Sequence, residues 1–187
     1  MKALKMLLFV TMLYCGHANL FAQSNEVKGG VKGGLNISNI GGDSEGTKSK
    51  MGIYVGGFVQ FRASNSLCIQ PELVYSMQGA SLGDGIKVKY NYINVPVIFK
   101  LYPESQGFNF QAGPQLGILG GAKATNGSDS IDISDQVEGI DFALAVGLGY
   151  DFNGMTLDAR YNIGLTSTSD AGSYPNNVFQ LGLGVYF

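Results

Sequence analysis

The sequence of 187 residues has no tryptophan, one histidine and two cysteines, and only 14% of its residues are charged. The rare residues also sit where they cannot do chemistry. Cys15 and His17 fall in an N-terminal stretch in which Lys2 and Lys5 precede the apolar run Met6 to Tyr14, and a polar stretch then reaches Leu20-Phe21-Ala22-Gln23. That arrangement predicts a cleaved secretory signal peptide over residues 1–23. The apolar run is too short for a membrane-spanning helix, which needs about 20 residues. Cys15-Gly16 raises lipidation as an alternative, but bulky Tyr14 stands where that site wants a small residue.

Cleavage would leave Cys68 as the one cysteine and no histidine. An intramolecular disulfide, a Ser-His-Asp or Cys-His site and the usual zinc sites are then excluded. Lys2 and Lys5 leave without any acid, so ten basic residues remain against fourteen acidic ones, a net charge of −4. Nothing points to nucleic acid. No cofactor, metal or catalytic constellation is expected, and an enzyme at a barrel rim would lack the histidine such sites use.

What the chain has in quantity is glycine, 28 residues, with 11 phenylalanines and 10 tyrosines. Residues 24–187 fit one domain. No stretch reads as a helix. Eight strands of about ten residues, each followed by a turn, give the periodic signature of a transmembrane barrel. They run from about Gly30 to Ile40, Met51 to Arg62, Leu67 to Gln78, Lys87 to Tyr102, Phe108 to Leu119, Ile140 to Phe152, Thr156 to Leu165, and Gln180 to Phe187. In the sixth, Ile140, Phe142, Leu144, Val146, Leu148, Tyr150 and Phe152 oppose Asp141, Ala143, Ala145, Gly147, Gly149 and Asp151. In the fourth, Lys87, Lys89 and Asn91 share the face of Ile93 to Leu101, so they must lie above the bilayer or beyond a bulge. Ten strands would need a hairpin inside Gly120 to Gly139, which is long enough but poorly patterned.

The connections alternate long and short: Gly41 to Lys50, Ala63 to Ser66, Gly79 to Gly85, Pro103 to Gln106, Gly120 to Gly139, Asn153 to Met155, and Thr166 to Asn176. Outer-membrane barrels join their strands in this way, with short periplasmic turns and longer extracellular loops. A soluble lipocalin-like barrel also alternates, but its apolar face points inward. Here the polar faces are small and glycine-rich, as suits a narrow eight-stranded lumen, and the bulky rows suit lipid. The fold expected is therefore all-β, an eight-stranded antiparallel up-and-down transmembrane barrel in the outer membrane. Tyr90, Tyr92, Tyr102, Tyr150 and Tyr161 partly support an aromatic girdle.

The last strand puts Phe179, Leu181, Leu183, Val185 and Phe187 on one face. Its Gln180, Gly182, Val185 and Phe187 resemble the C-terminal signal read by the outer-membrane insertion machinery, which becomes an expected partner during assembly alongside the lipid itself.

Several phrases resemble the PorT-like, outer-membrane β-barrel domain family of Bacteroidota. They are Gly30-Val31-Lys32-Gly33-Gly34-Leu35-Asn36, Gln70-Pro71-Glu72-Leu73-Val74-Tyr75-Ser76, Tyr92-Ile93-Asn94-Val95-Pro96-Val97, Gly113-Pro114-Gln115-Leu116-Gly117 and Asp158-Ala159-Arg160-Tyr161. The resemblance covers essentially the whole mature chain. It implies fold and location well and activity poorly; some members are linked to assembly of a secretion system.

Interior candidates are Lys32, Arg62, Gln70, Glu72, Asn94, Lys100, Gln111, Gln115, Asp141, Asp158 and Arg160. Charges in a narrow lumen must be paired, so Lys32, Arg62, Glu72, Lys100, Asp158 and Arg160 are expected to form a structural network that plugs it. Cys68 shares this face as a small filler. Asp129-Ser130-Ile131-Asp132-Ile133-Ser134-Asp135 spaces three aspartates by three residues, but it lacks the pattern of a hand-type calcium loop and reads as a solvated acidic loop. Asp129-Ser130-Ile131 also resembles a short O-glycan acceptor. The function expected is structural or interactive, through long loops that contact the exterior or a protein partner. The alternatives are a narrow pore or secretion-apparatus component, and a lipocalin-like ligand carrier.

Overall fold

The computed structural model describes residues 27–40, 48–81, 86–104, 107–126, 129–134, 137–166 and 175–187. The leader read over residues 1–23 and the aspartate at 135 lie outside them. The described residues form nine strands: β1 (Val27–Ile40), β2 (Lys48–Arg62), β3 (Leu67–Ser81), β4 (Ile86–Leu101), β5 (Phe108–Asn126), β6 (Asp129–Asp132), β7 (Ile140–Phe152), β8 (Met155–Gly164) and β9 (Asn176–Tyr186). All pairings are antiparallel, and eight strands close on themselves in the order β1-β2-β3-β4-β5-β7-β8-β9. The closing seam pairs β1 with β9, for example Val31 with Val185 and Leu35 with Leu181. Closure leaves no edge along the wall, the condition for a sheet to cross a bilayer.

Two-residue alternation decides which side each residue takes. Val31, Leu35, Ile53, Val55, Leu73, Tyr75, Phe99, Phe110, Phe142, Leu148, Leu157, Leu181 and Leu183 are exposed on the outside. Lys32, Gln70, Glu72, Asn94, Lys100, Gln111, Asp158 and Arg160 are buried on the inside. A barrel with its apolar side outward cannot be lipocalin-like, and that alternative is set aside.

Strands β3 and β5 run further than the sequence pattern suggests, to Ser81 and Asn126. The β3–β4 connection shrinks to residues 82–85, so the long-short alternation of loops is weaker than expected. Height is supplied by strand instead. A hairpin does form inside Gly120 to Gly139, but β6 pairs only with the far end of β5 and adds no strand to the closed wall.

In β4 the phase holds throughout. The register slips between Asn91 and Tyr92 because Gly120 is the additional residue, on β5. Lys87 and Lys89 therefore stay on the outward face, and a bulge in their own strand is not the explanation. The β7–β8 turn is Asn153-Gly154, both at positive φ (44° and 78°), the geometry that matches strand twist in a two-residue hairpin. Gly79 adopts φ 139°, and a Cβ there would strike the Val88 carbonyl, so a left-handed backbone and a close strand approach both demand glycine.

Candidate functional site in the barrel interior

Room for a polar core comes from glycines facing the lumen. At Gly147 a Cβ would lie 2.9 Å from Arg160 Cγ, at Gly149 it would lie 2.6 Å from Asn109 Oδ1, and at Gly182 it would run into the Tyr54 hydroxyl. Their absent side chains are the space the long polar side chains occupy.

Four of the six predicted network charges meet at mid-height. Lys32 Nζ on β1 lies 2.9 Å from Asp158 Oδ2 on β8 and 3.3 Å from Glu72 Oε1 on β3. Arg160 Nη2 lies 2.8 Å from Glu72 Oε1 and 3.7 Å from Asp158 Oδ1. Amides complete the shell: Arg160 Nε donates to Gln111 Oε1 at 2.5 Å, Gln111 Nε2 to Asp158 Oδ1 at 2.7 Å, and Gln70 Nε2 to Glu72 Oε1 at 2.7 Å. The cluster is neutral overall, and no side chain in its four ion pairs is more than 3% exposed. Buried ions of this kind cost several kcal/mol each to desolvate unless they are paired and hydrogen-bonded.

Lys100 does not join that cluster. Its Nζ lies 3.3 Å from Asp151 Oδ1, in a separate layer toward the chain termini. Asp151 Oδ2 also accepts from the Tyr102 hydroxyl at 2.6 Å and the Tyr186 hydroxyl at 3.0 Å, and Gln60 donates to Tyr102. Arg62 belongs to neither layer: it is only half-buried, its Nη1 donates to the Asn65 carbonyl, and its guanidinium sits 5.3 Å from the Tyr102 ring centroid. It stands at the end of β2, where the wall opens onto a vestibule of about 750 Å³ lined by Arg62, Tyr102, Asp151 and Tyr186. The two-residue period puts Asp151 on the inner face but assigns it no role, and residue type near a strand end gives the height of the tyrosines but not their face.

Beyond the ion cluster, Gln180 donates to Asn36 Oδ1, Asn36 to Ser76 Oγ, and Asn176 to Gln78. The interior then turns apolar, with Ala80, Val88, Tyr90, Tyr92 and Ala122 packed together under Leu119, Ile133 and Val137. Tyr90, Tyr92 and Tyr102 thus point inward and form no girdle, since Tyr90 and Tyr92 fall on even, lumen-facing positions of β4 and Tyr102, one residue past its end, keeps that parity; Tyr150 and Tyr161 face outward. Gln180 and Gly182 also face the lumen, whereas Val185 faces outward and Phe187 is 85% exposed.

On the β5–β6 hairpin, Asp132 Oδ1 accepts from the Ser134 hydroxyl at 2.6 Å and from its backbone N–H at 2.9 Å. These bonds hold the carboxyl below its ordinary pKa and turn it toward its own chain. Among the described residues no group of three acidic, histidine or cysteine side chains could hold a metal ion. Cys68 is fully buried.

The barrel is similar to the crystal structure of Neisserial surface protein A, with a TM-score of 0.60 and 15% identity over 88% of this chain and 100% of that one. It is also similar to Ail, the attachment invasion locus protein of Yersinia pestis, with a TM-score of 0.55 and 17% identity over 87% of this chain and 99% of that one. No curated protein sequence matches. The family model described as outer membrane protein beta-barrel domain matches residues 21–170. With an apolar exterior, a closed eight-stranded wall and that match over most of its length, the chain belongs to the outer membrane protein β-barrel domain family.

Proposed function

We propose that this protein is a small, non-catalytic outer-membrane barrel with a closed interior, which acts through its extracellular loops on a surface or protein partner. The observation that carries the reading is the neutral four-charge cluster of Lys32, Glu72, Asp158 and Arg160, which crosses the lumen from β1 and β3 to β8. Such a cluster serves a wall better than a channel. It ties distant strands together, and an ion passing it would have to break several desolvated pairs at once. The apolar layer under Ile133 and Val137 adds a second obstruction.

In this reading residues 1–23 direct export and are removed. Gln180, Gly182, Val185 and Phe187 are read by the insertion machinery, and the chain falls in the PorT-like branch of barrels. Loop action is favoured because, among the described residues, both the ion cluster and the apolar layer stand across the lumen.

Planar-bilayer recording of the refolded mature chain tests it. Conductance indistinguishable from lipid background is expected. Discrete channels in the wild type, abolished when Arg160 and Lys32 are both changed, would instead establish the narrow-pore alternative.

A further inference from the structure

The outward row of β4 runs Leu101, Phe99, Val97, Val95, Ile93 and then changes chemistry to Asn91, Lys89 and Lys87. On β5 the outward row ends its apolar part at Ile118 and continues, past the Gly120 bulge, to Lys123 and Thr125. The register sets Lys89 directly opposite Lys123, with Lys87 opposite Thr125. All three lysines are exposed. Like charges facing each other across two strands are destabilising, and among the described residues the pair is only partly offset. Among the described residues none of the three has a salt bridge. Asp132 stands opposite Lys123 on β6 and attracts it, but its carboxylate is hydrogen-bonded to Ser134 and forms no ion pair with the lysine. Lys50 lies on the lumen-facing parity of β2, paired with buried Ser38, and donates to the Gln78 carbonyl at 3.0 Å, so it is not part of this outward row.

The height of the pair says what would relieve it. Lys89 is four residues beyond Ile93, which at about 3.3 Å per residue and a tilt of about 40° places it roughly 10 Å above the last apolar outward position. The polar layer of a bilayer adds about 5–8 Å outside each hydrocarbon face, and a lysine's flexible stem spans the difference. Because the two lysines lie on the lipid-facing side of the wall rather than over the lumen, what they meet at that height is headgroup. A phosphate there can bridge two ammonium groups held one strand apart.

We propose that Lys89 and Lys123, supported by Lys87, form a binding site for the phosphate of an outer-leaflet lipid headgroup. The site rests on the outer-membrane reading, with the β3–β4 end of the barrel outside. The bound phosphate adds the close counter-charge that Asp132 does not supply and fixes the depth of the taller β4–β5 side of the wall.

The test uses the mature chain in phosphatidylcholine vesicles with trace spin-labelled phosphatidic acid or spin-labelled phosphatidylcholine, comparing the fraction of each held at the protein surface. The wild type is expected to hold the phosphate-headgroup probe several-fold more strongly, as each lysine near an anionic headgroup contributes about a fivefold factor. Lys89→Gln with Lys123→Gln should bring the ratio close to one, while heat-modifiable gel mobility shows that the variant barrel still inserts. Insertion without preference, or a preference unchanged in the variant, overturns the site alone. Failure of the wild type to insert overturns the outer-membrane reading with it. Tight binding of inorganic phosphate in neutral vesicles, without lipid selectivity, assigns the lysines to a free oxyanion and also overturns the proposal.

Discussion

Arg160 Nη2 and Glu72 Oε1 stand 2.8 Å apart across the lumen, joining β8 to β3, two strands that share no backbone hydrogen bond. The wall of a barrel holds itself together only between neighbours; this pair acts as a strut across the diameter, and its companion Lys32–Asp158 spans the one strand, β9, between β1 and β8.

Glu72→Ala should therefore be costly. It leaves Arg160 and Lys32 facing one carboxylate, Asp158, in a buried site, and breaking such a network costs about 3–5 kcal/mol. Urea unfolding of the refolded protein in vesicles measures this. Glu72→Gln should cost less, because the amide still accepts from Arg160. Equal stability of Glu72→Ala and wild type would show that water reaches the cluster.

Gly182 and Tyr54 form a second specific pair. A methyl group at 182 would collide with the Tyr54 hydroxyl, and overpacking of this kind costs about 1–3 kcal/mol. Gly182→Ala should be destabilised, and Tyr54→Phe should restore most of the loss in the double variant. Without that rescue, the role of glycine here is backbone freedom and not space.

Cys68 has no exposed surface. A maleimide reagent added to the folded barrel should leave it unmodified for as long as the barrel persists, and labelling should follow the unfolding curve. Rapid labelling of the folded protein would show that the lumen near β3 is open to solutes.

Phe187 is 85% exposed, and its main tie to the fold is its backbone N–H bonded to the Gly29 carbonyl at 2.9 Å. Deleting it should leave the refolded barrel nearly as stable, yet lower its recovery in the outer membrane of expressing cells. Undiminished recovery would remove Phe187 from the insertion signal.

Much of the architecture was legible because side-chain alternation along a strand is local. Residues 140–152 announced both faces of β7, and the inward positions of Lys32, Glu72, Asp158 and Arg160 followed from the same two-residue period. Strand ends were less legible. Gly79, Gly120 and Gly121 read as loop residues, whereas in the structure Gly79 lets β3 pass close to β4, Gly120 is the bulge residue of β5, and both strands continue. Tyr90 and Tyr92 were misread for a related reason: aromatic residues near a strand end suit an interface girdle by type, but their parity sends them into the apolar layer beneath Ile133 and Val137.

By itself the sequence determined the strand pattern, the lipid-facing exterior and the polar interior, since all of these depend on residue type and on neighbours two positions away. Only the tertiary structure decided which interior charges meet. Lys32 and Asp158 are 126 residues apart in the chain and touch because closing β1 onto β9 brings β8 to within one strand of β1. Closure and register likewise put Lys100 with Asp151, left Arg62 at the vestibule, and set Lys89 against Lys123, because a one-residue change in register would turn each of these side chains to the other face of the wall.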